Sequence, residues 1–355
     1  MEFNKVLEKL LENGFKEERV HTKGDAFLRL INGIEFVDLS NLCSRLQERL
    51  RINYGYENVT IEECYMLIQN LNALEEYKNL IVDLAYECIE GGKHLGNRVN
   101  AQGFNTSSWI SHSLYVAKVC EVFASPLGAN SDIAWTMGIM HDYGRRDDFR
   151  PIHVELGAIN LAKLGWLEEA SGCATHNDMF GDVGYNNEPD LEGYYIDDNG
   201  EPKWEDGYGN NPKNLFAKEY PYSIYHVLIW IADIMAPDFA IIPVWDRLND
   251  IAQRRPAVDA QRKRGAYLAA VTNLYTWLHD CINKSRNPNV EDLFEWINNE
   301  QNIYPKVIAS KGVSLEEIKI KLIDISGKVF DDFKELSTRQ KGITKLKIID
   351  NEKEY

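Results

Sequence analysis

No apolar run in this 355-residue chain reaches the ~18–20 residues that a membrane-spanning helix needs, so no membrane partner is expected. The start, MEFNKVLEKLLENGFKEE, is amphipathic and of mixed charge, and does not read as a secretory signal. Cysteine is sparse: Cys43, Cys64, Cys88, Cys120, Cys173 and Cys281 stand without CxxC spacing. That pattern excludes a zinc finger and argues against a disulfide framework; buried thiols in a reducing cytoplasm are the expectation. Positive charge is also short, with 39 Lys and Arg against 55 Asp and Glu, a net charge of −16. A protein that displaces counterions from a phosphate backbone usually carries a basic face, so long nucleic acid is not expected as a partner. A small anionic phosphate substrate remains open, provided metal ions or a few arginines supply local positive charge.

What the chain does have is a globular composition, 44% hydrophobic and 11% aromatic, in a length suited to one large or two smaller domains. Strand signals are few and helical periodicity dominates. Residues 60–90 open on a Thr60…Glu63 capping box and keep a three-to-four-residue apolar period. Further helices are expected at 107–124, at 131–142 behind a Ser131 cap, at 151–164 with Gly165 as its stop, and at 166–176. The series continues at 222–236, 256–284, 290–302 and 314–336. The segment 178–221 breaks the pattern with Gly, Pro, Asn, Asp and aromatics. Within it, GYYIDDNGEPKW reads as a β-hairpin about Asn199-Gly200. Its DDNG is not a calcium loop, because Gly193 or Tyr195 stands where the frame needs Asp. The expected organisation is a helical region over 1–95, a metal-binding domain over 96–304 with 178–221 inserted, and a helical extension over 305–355. A homo-oligomer is compatible with all of this.

The chemistry concentrates around WTMGIMHDYGRRDDF, where an apolar run ends in His141-Asp142. His112, His153 and His176 lie in or at the ends of neighbouring predicted helices. Asp233 sits inside YHVLIWIADIMAP, where a lone carboxylate is costly to bury without a cation. Imidazole and carboxylate together suit first-row divalent ions. A second His-Asp pair, His279-Asp280 in TWLHDCINK, serves as a control. It has no following glycine, no later histidine and no downstream aspartate in an apolar helix. It reads as the polar side of a helix.

The order His112, His141-Asp142, Asp233 on successive helices resembles the HD-domain superfamily of metal-dependent phosphohydrolases. MGIMHDYGR resembles that family's signature, HVELGAINLAKLGW…ATHND its H-x-x-x-G…H segment, and WIADIMAPD its alanine-aspartate helix. The resemblance covers roughly 105–240. It implies an all-α fold, an HD-domain helical core with N-terminal and C-terminal helical extensions. It also implies one or two divalent ions per chain (Mn, Fe, Co, Mg, Ni or Zn). His112, His141, Asp142 and Asp233 would hold the first; His153 and His176 the second, with Asp142 bridging. Asp142 and Arg145 would be catalytic, and Arg145, Arg146 and Asp178 would contact substrate. Two departures touch the second ion: Asn177 stands where many members have a histidine, and the gap from Asp142 to His153 is short. The function implied is hydrolysis of a small phosphate ester or nucleotide by a metal-activated water. A di-iron oxygenase, which uses a similar ligand order, and a metal-stabilised sensor or interaction domain are the alternatives.

Overall fold

The computed structural model describes residues 21–31, 39–70, 75–90, 108–148, 153–176, 194–196, 202–204, 223–237, 240–254, 265–284, 290, 314–340 and 347–350. The fold is all-α. The described helices are α1 Lys23–Ile31, α2 Leu39–Tyr54, α3 Ile61–Gln69, α4 Glu75–Glu90, α5 Ser108–Ala124 and α6 Ser131–Met140. After them come α7 His153–Lys163, α8 Leu167–Thr175, α9 Ile224–Met235, α10 Val244–Arg254, α11 Gly265–Asn283 and α12 Leu315–Arg339. Short 3-10 turns follow α5, at Ser125–Leu127, and α6, at Tyr143–Arg146.

Local chemistry sets most of these ends. Thr60 Oγ1 accepts the Glu63 N–H at 3.1 Å while the Glu63 carboxylate accepts the Thr60 N–H at 2.8 Å, the expected capping box. Ser314 and Glu317 repeat it at the head of α12. Gly165 takes φ +84, a left-handed conformation that ends the α7 segment. The start of α6 differs from expectation. Asn130 is the cap, accepting from Asp132 N at 2.8 Å and Ile133 N at 3.2 Å, and Ser131 is the first helical residue. The single periodic stretch 60–90 is two helices, because Asn70 leaves helical dihedrals (φ −91, ψ 99). Helix α10 was not expected, although Val244, Trp245, Leu248 and Ile251 form an amphipathic stripe. The expected helix at 290–302 lies outside the described residues except for residue 290.

The hairpin is present. Strands β1 Tyr194–Ile196 and β2 Pro202–Trp204 pair antiparallel, Tyr194 opposite Trp204 and Ile196 opposite Pro202.

The core runs through Tyr115 and Phe123 of α5, Trp135 of α6, Trp230 of α9 and Tyr275 of α11, all essentially without solvent exposure. Close approach of α5 and α6 depends on Gly138, where a Cβ would come within 2.9 Å of Ala117 Cα. Polar ties hold α1 to this core: Lys23 pairs with Glu121 and with Asp132, and Lys78 pairs with Asp25. At the other end Phe333 of α12 meets Phe123 edge-on, ring centroids 5.7 Å apart. Backbone bonds between Ile241 and residues 347–349 fasten the chain beyond α12 against the segment after α9. All six cysteines are buried thiols, none of them in a disulfide. Among the described residues, no helix is long and apolar enough to cross a membrane.

Candidate metal centre

Five helices converge on one buried cluster. His112 is in the second turn of α5, and His141 caps the end of α6 with Asp142 next to it. His153 opens α7, His176 caps the end of α8, and Asp233 lies in the last turn of α9. Their donor atoms form two groups. In the first, His112 Nε2 lies 3.2 Å from His141 Nε2 and 3.0 Å from Asp233 Oδ1. His141 Nε2 is 4.0 Å from Asp233 Oδ1. In the second, His153 Nε2 and His176 Nε2 are 3.4 Å apart, and lie 3.1 and 3.3 Å from Asp142 Oδ1. The other Asp142 oxygen, Oδ2, faces the first group, 3.5 Å from His141 Nε2 and 3.7 Å from His112 Nε2. Each group can therefore converge on a common centre, with Asp142 between them.

These spacings suit a cation. With ligand bonds of ~2.1 Å, neighbouring donors stand about 3.0 Å apart at right angles and about 3.4 Å apart at tetrahedral angles. The tautomers agree. His112 Nδ1 bonds Ala236 O at 2.6 Å, His141 Nδ1 bonds Gly138 O at 2.7 Å, and His176 Nδ1 bonds Cys173 O at 2.8 Å. A carbonyl only accepts, so each Nδ1 carries the proton and each Nε2 turns a lone pair inward. The 3.2 Å approach of His112 Nε2 to His141 Nε2 is then lone pair against lone pair, which a cation between them relieves. Burial pushes the His141 imidazole down to about 4, so a proton is a poor substitute. Asp142 points the same way. It is fully buried, and neither oxygen meets a donor in hydrogen-bonding geometry. Burial alone would raise its carboxyl; the Arg145 guanidinium beside it holds it well below the usual carboxylate range.

The approach of α7 to the His141-Asp142 turn rests on two glycines. A Cβ on Gly144 would overlap His153 O and lie 2.6 Å from Gly157 N; one on Gly157 would lie 2.7 Å from Gly144 N. The two backbones touch, and that contact brings His153 to Asp142. Both glycines stand in the motif segments MHDYGRR and HVELGA, but nothing in the sequence announces that they meet.

Arg145, one 3-10 turn past Asp142, sets Nε 2.6 Å from Asp142 Oδ2 with its side chain 30% exposed. Asp233 is 31% exposed, whereas the Asp142 side chain has no exposure. The first group therefore borders solvent on the Arg145 and Asp233 side, and the second is enclosed. Arg146 turns away: its Nη1 donates to Tyr143 Oη at 2.5 Å, and its guanidinium lies over the Tyr143 ring. Asp178 lies outside the described residues. His226 is a core residue, its Nε2 3.1 Å from Ser171 Oγ. The control pair is elsewhere: His279 Nδ1 meets Asp332 Oδ2 at 2.7 Å between α11 and α12, and Asp280 pairs with Lys284.

Two curated proteins share part of this sequence. Ribonuclease Y of Wolinella succinogenes is 31% identical over 124 residues, 33% of this chain and 24% of that protein. Ribonuclease Y of a Sulfurovum species is 31% identical over 87 residues, 24% of this chain and 17% of that protein. The chain thus spans less than a quarter of the length of these relatives. No family model matches the sequence, and no solved structure matches it. What stands is an all-α protein with buried His/Asp clusters able to hold metal, and a partial similarity to proteins named as ribonucleases.

Proposed function

We propose that this chain is a metal-dependent phosphohydrolase of the HD type, acting on a small phosphate ester or nucleotide. The observation that carries the reading is the buried Asp142 carboxylate, with one oxygen 3.1 and 3.3 Å from two imidazoles and the other 3.5 and 3.7 Å from two more. On this reading the HD-type domain spans 96–304, between helical extensions. His112, His141, Asp142 and Asp233 are the ligands of one divalent ion; Asp142, His153 and His176 are those of a second. Bound ions would supply a water acidified towards neutrality and positive charge for the phosphoryl oxygens. The protein's own groups do the rest. Backbone carbonyls at Gly138, Cys173 and Ala236 fix the imidazoles, so the donor set needs no rearrangement. Arg145 neutralises Asp142 through Nε and, with its side chain 30% exposed, is assigned as the phosphate contact. Asp178 is assigned as an outer substrate contact, and Arg146 would join it only by leaving the Tyr143 hydroxyl.

The name of the partial relatives supports phosphoester hydrolysis and favours a second reading, cleavage of a phosphodiester in short RNA. The net charge of −16 opposes a long polyanion but not an oligonucleotide. One experiment separates the readings: elemental analysis of the purified protein, followed by phosphate release from a metabolite panel and cleavage of a short RNA with Mn, Co or Mg. Turnover of monoesters or nucleotides is the expected result; RNA cleavage alone would move the substrate to the second reading. Iron with oxygen consumption and no phosphate release would overturn both in favour of an oxygenase.

A further inference from the structure

Helix α9 joins the two donor groups. Its last turn carries Asp233, and the Ala236 carbonyl just past it fixes His112; both belong to the first group. Its earlier turns grip α8, the helix that ends in His176 of the second group. The Trp230 indole N–H donates to Thr175 O at 3.0 Å. One turn earlier, His226 Nε2 lies 3.1 Å from Ser171 Oγ. Gly172 lets Ile229 pack close against α8.

The Thr175 carbonyl is one of those that a helix end leaves without an intrahelical partner. Two of them are used at the end of α8. Cys173 O takes the His176 Nδ1–H, and Thr175 O takes the Trp230 N–H. The residue bonded by Trp230 is the one immediately before His176. Trp230 itself is three residues before Asp233, one turn away on the same helix. The indole thus ties the turn presenting His176 to the helix presenting Asp233, inside a core where Trp230 and Thr175 are both about 1% exposed.

We propose that Trp230 is a positioning residue for the second ion: its N–H bond to Thr175 O sets the last turn of α8 and thereby the reach of His176 to Asp142. This rests on the two-ion reading of the site. The imidazole is aimed by two constraints, its own Nδ1–H bond and the position of the backbone it hangs from, and Trp230 supplies the second.

The test uses Mn2+ binding to the full-length chain, followed by calorimetry and by the magnetic coupling between two bound ions. Trp230→Phe keeps an aromatic core and removes the donor. The sulfur analogue of tryptophan, benzothienylalanine, keeps the ring volume and removes only the N–H, which covers a Trp230→Phe chain that fails to fold. Tyr275→Phe removes another bond to α9, that from α11 to Ile231 O at 3.2 Å. Loss of the indole donor is expected to weaken the second ion roughly tenfold or more, leave the first ion's affinity unchanged and abolish the coupling. Tyr275→Phe is expected to change neither affinity. Equal loss of both ions, or retention of both at wild-type affinity, overturns the role of Trp230. A wild-type chain that binds a single Mn2+ overturns the two-ion reading, and this inference with it.

Discussion

At the scale of single residues, the donor set is notable for what holds each member. Three of its histidines spend Nδ1–H on a main-chain carbonyl, so their orientation follows the fold and not a neighbouring side chain. Asp142 depends on its surroundings differently, as a fully buried carboxylate with the Arg145 guanidinium beside it. Asp142→Ala is therefore expected to abolish metal binding while circular dichroism stays helical; full metal occupancy in that variant would sink the site assignment. His279→Ala is the matched control. It removes a partly exposed polar contact with Asp332, for about 1 kcal/mol or less of stability, and metal content should not change. A further prediction concerns acid. Burial pushes the His226 imidazole down to about 3 from its ordinary value near 6.5. The unfolded chain then takes up that proton first as pH falls below about 6.5. The stabilisation is whole above that pH and is lost progressively towards pH 3, with a slope of up to about 1.4 kcal/mol per pH unit from this group. Urea midpoints of the metal-free protein between pH 7 and 5 should fall less steeply in His226→Gln than in wild type.

At the scale of elements, the site depends on how helix ends meet. The Gly144–Gly157 contact is one such meeting, main chain against main chain. A methyl at position 144 has only the His153 carbonyl and the Gly157 amide to displace, and neither can swing aside as a flexible side chain can. Gly144→Ala is expected to cost about 1–3 kcal/mol in chemical denaturation and to reduce metal affinity together with stability. A Gly144→Ala chain with wild-type midpoint and metal content would show that the contact is not required. Most helices were legible as periodicity bounded by caps and stops, because the capping box at Thr60 and the glycine at 165 act within one turn of chain. The break after Gln69 was not legible, since the apolar period continues through it. Helix α10 was overlooked although its stripe is plain in VWDRLNDIAQR.

At the scale of the whole molecule, the acidic balance of the chain opposes the anionic substrate proposed above. The net charge of −16 repels anions generally, so binding must draw on charge gathered at one place. Metal bound to the folded chain and not to the unfolded one also stabilises it by mass action, about 2.7 kcal/mol at a hundredfold excess over the dissociation constant. Thermal denaturation should move upward with added Mn2+ and return with a chelator, and the shift should vanish in Asp142→Ala. An Asp142→Ala chain that still gains the full shift would locate the ion elsewhere.

The helical class and the ordered set His112, His141-Asp142, His153, His176 and Asp233 can be read from the chain before any fold is known. Apolar period, caps and an isolated carboxylate in an apolar helix are local signals that survive without knowledge of the fold. The chain also separates the His141 pair from the His279 pair by their companions alone. Packing fixes which donor atoms face one another, turns each Asp142 oxygen to a different pair of imidazoles, and lays Arg146 over Tyr143 and Arg145 on Asp142. The contact between Gly144 and Gly157 and the bond from Trp230 to Thr175 belong to the same class. These join residues 13 and 55 positions apart in the numbering, and such pairings arise from packing of whole helices, which no local pattern encodes.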